Sequence, residues 1–162
     1  MIHGFRFRTE QPGIVTRHVF SAGPHYDPAY LSAGAVIGCD EHTVAPGAGF
    51  DWHAHRGVVI VSWVVSGTLR HQDDDGRALL VRQGDVLVQA TGSGIRHAET
   101  NGGDDELVFV QTTLLADADR SVDVAAPPVP LPGGGVLRLD EPAPDDFAVR
   151  AGPVVLVVGW DV

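Results

Sequence analysis

The chain has 162 residues, 44% of them hydrophobic, enough for one domain with a sizeable core. Its formal net charge is -10, and all eleven basic residues are arginines spread along the chain. Binding to nucleic acid through phosphate contacts is therefore not expected. The single Cys39 excludes an internal disulfide and reads as a small buried residue of a strand. No apolar run reaches the length of a membrane span and the first residues lack a signal-peptide core, so a cytoplasmic location without membrane contact is expected.

Glycine (20) and proline (11) are abundant, and valine outnumbers the good helix formers, which favours short strands joined by turns. Residues 1–28 are weakly patterned, with a first strand expected within 13–20. Asp27-Pro28 predicts a single helical turn over 29–32, capped by Asp27. Residues 34–44 alternate loosely as a strand, and Pro46-Gly47 breaks it. Residues 50–55 and 58–66 read as two strands, or as one bent at Gly57. The second (VVIVSWVVS) is apolar on both faces, so it belongs in the middle of a sheet.

Strands follow at 68–72 and 77–81, joined by a hairpin at Asp74-Asp75-Gly76, whose Asp-Gly pair suits a turn with positive φ. Further strands are expected at 86–90, 95–100 and 106–115. This regular spacing predicts an all-β antiparallel barrel or sandwich. Residues 125–135 (AAPPVPLPGGG) read as a linker. Beyond it 136–139, 147–150 and 154–160 are too short for a second core and are expected to pack on the first, which makes residues 1–162 one domain with its core at about 44–115.

Chemistry concentrates in two pairs. His53 and His55 are two apart, as are His97 and Glu99, and side chains two apart on a strand point to one face. If the two strands face each other, four ligand-type groups meet around a point. Three imidazoles and a carboxylate suit iron, manganese, nickel, copper or zinc better than calcium. Four protein ligands leave open positions at an octahedral ion, where a substrate could bind. Other polar residues carry weaker signals. His71 and Asp73 to Asp75 read as solvated turn residues, Arg56 and Arg96 as surface partners of acids, and His3, His18, His25 and His42 have no partner at useful spacing.

Gly47 stands six residues before His53-Ala54-His55. Gly84 stands thirteen before His97, and Asn101 follows four later. These spacings resemble the two halves of the cupin motif, which implies an antiparallel jelly-roll β-barrel with a metal at its centre. The pirin branch is the more similar. His53-Ala54-His55-Arg56-Gly57, residues 64–73 (VVSGTLRHQD), Gly84-Asp85-Val86 and residues 92–99 (GSGIRHAE) look like pirin segments, and the resemblance spans about 45–115. It implies one divalent transition metal, iron first, held by His53, His55, His97 and Glu99. It also implies quercetin 2,3-dioxygenase-like chemistry, while a nuclear animal member points to a regulatory role.

The chain departs from the pirin pattern in having one cupin domain instead of two, and in placing Val59 where a glutamate is usual. Carrying the parity of His53 and His55 onward sets Val59, Val61 and Trp63 on the inner wall, with Phe50 beside them, as an apolar substrate pocket. The expected function is a metal-dependent oxygenase acting on a small aromatic or enolic substrate, flavonol-like, with Glu99 as catalytic base. The alternatives are a non-redox metal isomerase or cyclase and a non-catalytic metal-binding regulatory module. An apolar face left by the missing second domain would be covered by pairing of identical chains, so a homodimer is expected.

Overall fold

The computed structural model describes residues 4–115 in full, and beyond them only the backbone of five short strands. Ten strands lie in the first part: β1 (Phe7–Gln11), β2 (Ile14–His18), β3 (Val36–Val44), β4 (Gly49–His55), β5 (Val58–Ser66), β6 (Thr68–Asp73), β7 (Ala78–Arg82), β8 (Val86–Ala90), β9 (Ile95–Asn101) and β10 (Leu107–Leu115). The others are β11 (Asp123–Val124), β12 (Val129–Leu131), β13 (Gly134–Leu137), β14 (Phe147–Ala151) and β15 (Val154–Val158). No helix occurs among the described residues, and every pairing is antiparallel.

An eight-stranded sheet runs β1-β2-β3-β10-β5-β8-β13-β12, and a four-stranded sheet runs β4-β9-β6-β7. Their inner faces meet over Ile14, Val44, Val64, Leu87, Leu107 and Phe109 from the first and Leu69 and Val81 from the second. Both sheets alternate apolar-inward residues with polar ones, so each needs the other to cover its apolar side. The result is the jelly-roll arrangement of a cupin. β5 lies between β10 and β8, and Val58 to Val61 are all buried, in accord with its apolar run. Leu69 and Phe109 are fully buried, and truncating either to alanine removes about 2–5 kcal/mol.

Three expectations need correction. β1 has too little alternation to stand out; it is an edge strand whose order comes from pairing with β2. The helical turn after Asp27 is a β-turn: the Tyr30 N–H donates to the Asp27 carbonyl (3.0 Å), and the Asp27 carboxylate accepts from the Ala29 N–H (2.9 Å). The proline-rich 125–135 stretch carries β12 and the start of β13, which pairs with β8. β14 and β15 form a separate three-stranded sheet with β11. His3 and residues 159–160 lie outside the described residues.

Candidate metal centre

Register builds the site. In β4 and β9, Phe50 stands opposite Glu99 and His53 opposite His97, so three steps along β4 match two along β9. That irregularity is a β-bulge, and it brings His53 directly across from His97. Gly49 sets the close approach that precedes it: a Cβ there would lie 2.5 Å from the Glu99 carbonyl oxygen and 2.5 Å from the Thr100 Cα. On the other side of β9, β6 places His71 opposite Glu99 and Asp73 opposite His97. Two inward rows therefore cross the small sheet, His53–His97–Asp73 and Phe50–Glu99–His71.

His53, His55 and His97 converge, with ligand nitrogens all within 4.8 Å of one another. His53 Nε2 and His97 Nε2 face each other at 2.9 Å. His53 Nδ1 donates to the Asp51 carbonyl (2.7 Å), and His97 Nδ1 donates to Gln89 Oε1 (2.9 Å). Each neutral ring has one N–H, and both are committed, so two lone pairs point at each other. His55 Nε2 is buried and makes no hydrogen bond. Repulsion between facing lone pairs and an unsatisfied buried nitrogen are what a shared cation would relieve, and outward-facing Nδ1 donors are how ligating imidazoles are held. The donor set fits a divalent transition ion.

The electrostatics keep these nitrogens available. Burial lowers the His97 pKa to about 4, helped by neighbouring imidazoles and opposed by Glu99. Burial and His53 also lower that of His55. Asp73 forms a second close group with His71 and His97, and Glu99, 2% exposed, is the more deeply buried of the two carboxylates beside the centre. Burial opposes its charge, but His71, His97 and Gln111 outweigh this and hold its pKa at about 2.

The Glu99 carboxylate is not part of the group the three histidines form. Gln111 Nε2, from β10 in the facing sheet, donates to both of its oxygens (3.2 and 2.9 Å) and lies 3.0 Å from Ser62 Oγ. His71 Nδ1 lies 3.9 Å from Glu99 Oε1, while His71 Nε2 lies 3.0 Å from Asp73 Oδ1 and 2.8 Å from Gln89 Nε2. Burial disfavours a charged His71, but Glu99 and Asp73 outweigh it and raise its pKa.

Several residues differ from their expected places. His71 is 1% exposed and sits beside His97, not in a solvated turn. Its inward alternation with Leu69 and Asp73 is the signal that sequence reasoning passed over. Gln89 and Gln111 were missed too, although each is a polar residue inside an apolar strand. Val59, Val61 and Trp63 are not on the inner wall. Ser62 bonds Gln111, and Ile60 stands opposite Gln89, so these two face the site and their odd-numbered neighbours face away. Gly57, at φ 66, ends the count, because the chain there passes from the small sheet to the large one and parity does not carry across.

Phe50 does point inward, packing on Phe109 and edge-on against His42 (4.8 Å), which is bonded to Thr16 (2.9 Å). It lines a cleft of about 640 Å³ with Thr9, Thr16, His18, His25 and His42. His18 is bonded to Asp40 (2.8 Å) and Thr9 (2.9 Å). The Arg96 guanidinium lies over the Trp52 ring, 5.6 Å from its centroid.

The Pirin family model matches residues 3–114. The chain belongs to the pirin family. A Mycobacterium tuberculosis relative, provisionally named a quercetin 2,3-dioxygenase, is 34% identical over 147 residues, covering 90% of this chain and 54% of its own. The Escherichia coli K12 quercetin 2,3-dioxygenase is 34% identical over 105 residues, 65% of this chain and 46% of its own. The crystal structure of a bacterial pirin from Escherichia coli in complex with nickel(II) superposes with a TM-score of 0.67 at 28% identity, over 69% of this chain and 49% of that one. The chain thus spans about half the length of the curated relatives it matches. No helix among the described residues is long and apolar enough to cross a membrane.

Proposed function

We propose that this pirin is a metal-dependent oxygenase acting on a small aromatic or enolic substrate, with one divalent transition ion, iron first among the candidates, held by His53, His55 and His97. The observation that carries the reading is the 2.9 Å approach of two imidazole nitrogens whose other nitrogens are already committed as donors. A bound ion supplies Lewis-acid polarisation of a substrate oxygen and, for a redox-active metal, electron exchange. The relatives carrying the quercetin 2,3-dioxygenase name support a flavonol-like substrate.

The protein's own groups do the rest. Glu99, 2% exposed, is the base that takes a substrate hydroxyl proton at a carboxylate oxygen. With its pKa at about 2 it is weak at rest, and it gains basicity when substrate displaces the contacts from His71 and Gln111 that hold that pKa down. The cleft lined by Phe50 and His42 receives the organic body; Phe50 stands opposite Glu99 in the β4–β9 pairing, which ties that wall of the cleft to the centre. The assembly that goes with this reading is a homodimer, in a cytoplasmic protein.

Oxygen uptake by metal-loaded protein, screened with flavonols and simpler enols, tests the reading. Metal-dependent uptake with release of a ring-cleaved product supports it. Turnover of such a substrate without oxygen uptake replaces it by the isomerase or cyclase reading. Full metal loading with no turnover at all replaces it by a non-catalytic metal-binding module.

A further inference from the structure

We propose that Thr9, oriented by His18 and Asp40, forms a hydroxyl-selective subsite at the end of the cleft away from the metal centre. It takes an O–H group on the far ring of a two-ring phenolic ligand. The proposal rests on the reading of this cleft as the place of the substrate's organic body, and it narrows the class of substrate.

Register places the parts. Thr9 stands opposite Thr16, and Thr16 opposite His42, while His18 stands opposite Asp40. These positions are even steps apart along their strands, so all five side chains share one face of the large sheet. Thr9, Thr16, His18 and His42 line the cleft of about 640 Å³, a volume that holds a small organic ligand. Thr9 lies two strands from His42, about 10 Å. His42 packs edge-on against Phe50, and Phe50 stands opposite Glu99. A ligand reaching from that wall to Thr9 therefore needs two linked rings, not one.

The selectivity follows from where the protons sit. His18 Nδ1 is 2.8 Å from Asp40 Oδ1, and His18 Nε2 is 2.9 Å from Thr9 Oγ1. An ionised carboxylate only accepts, so the single proton of the neutral ring is on Nδ1 and Nε2 is an acceptor. The Thr9 hydroxyl must then donate to Nε2, which leaves its oxygen only lone pairs for the cleft. His18 is 8% exposed and bonded at both nitrogens, so the ring is held in this tautomer. Thr9 is half-buried at the cleft wall, where this fixed acceptor meets a ligand. It pairs with a ligand O–H and offers nothing to a carbonyl or an ether.

Calorimetric titration of the protein as purified, free of oxygen and at about pH 8, above the ordinary imidazole range, tests this. The probes are unsubstituted flavonol, the two flavonols with one further hydroxyl on the fused benzo ring or on the pendant phenyl ring, and the methyl ether of each. Wild-type protein is expected to bind one of the two added-hydroxyl compounds about 3- to 10-fold more tightly than unsubstituted flavonol, and its methyl ether no more tightly. Thr9→Val, equal in size but without the hydroxyl, loses the preference, and Thr9→Ser keeps it. His18→Leu frees the Thr9 proton and narrows the gap between phenol and methyl ether. A threonine that merely ties the edge strand β1 to β2 predicts no such change in ligand preference. Equal binding of all the probes by wild type, a methyl ether bound as tightly as its phenol, or a preference that survives Thr9→Val overturns the subsite alone. Binding of none of the probes overturns the flavonol-like reading of the cleft, and the subsite with it.

Discussion

Glu99 is the residue on which most depends, because it is anionic, fully buried and held at both oxygens. Glu99→Gln keeps the size and one oxygen but removes the basic site. It is expected to retain most of the metal, which the histidines hold, while losing turnover by about 10²–10⁴-fold. Metal content and kcat measured on one preparation check this, and normal turnover with metal bound makes Glu99 no base. His42 and His97 give a second residue-scale expectation. Burial lowers both pKa values to about 4 from 6.5, so the unfolded chain takes up these protons at a higher pH than the folded one. Stability of the metal-free protein therefore falls as pH drops from about 6.5 to about 4, by at most ~1.4 kcal/mol per pH unit for each proton. Glu99, depressed from 4.5 to about 2, extends the loss between those values. Urea midpoints between pH 7 and 4 should show the decline, and His42→Phe, placed among Phe50 and Phe109, should make it shallower. At this scale the sequence showed the chemistry better than the surroundings. His53, His55 and His97 stand out by spacing, whereas Gln89, Gln111 and His71 gain meaning only from the strands they face.

Elements explain where the reading along the chain stopped working. Strand existence was legible because alternation and glycine turns mark it locally, and β5 and β8 lie at the residues expected. The bulge between Phe50 and His53 was not, since it depends on what β9 places opposite. Nor was the sheet change at Gly57, which turns Val59, Val61 and Trp63 away from the site. Gly49 joins the two levels. An alanine there would drive its Cβ against β9 backbone at 2.5 Å, so Gly49→Ala is expected to cost about 1–3 kcal/mol and to spread His53 from His97. A chemical-denaturation curve together with a nickel(II) titration checks it. An unchanged metal affinity would mean that the close approach does not position the centre.

For the whole molecule, the two-sheet enclosure is what allows polar groups to meet between the sheets: small-sheet residues supply the imidazoles and Glu99, and the large sheet supplies Gln89, Gln111 and Ser62 to fix them. The proposed homodimer is tested by sedimentation at micromolar concentration, where a single monomeric species would contradict it. The claim that joins fold, site and function is that the three histidines hold one ion. Metal content of protein purified without added metal, compared with a His53→Ala/His55→Ala/His97→Ala variant whose circular dichroism matches wild type, tests it most directly. The account predicts close to one divalent transition ion per chain in the wild type and almost none in the variant. Equal metal content in the two would contradict it.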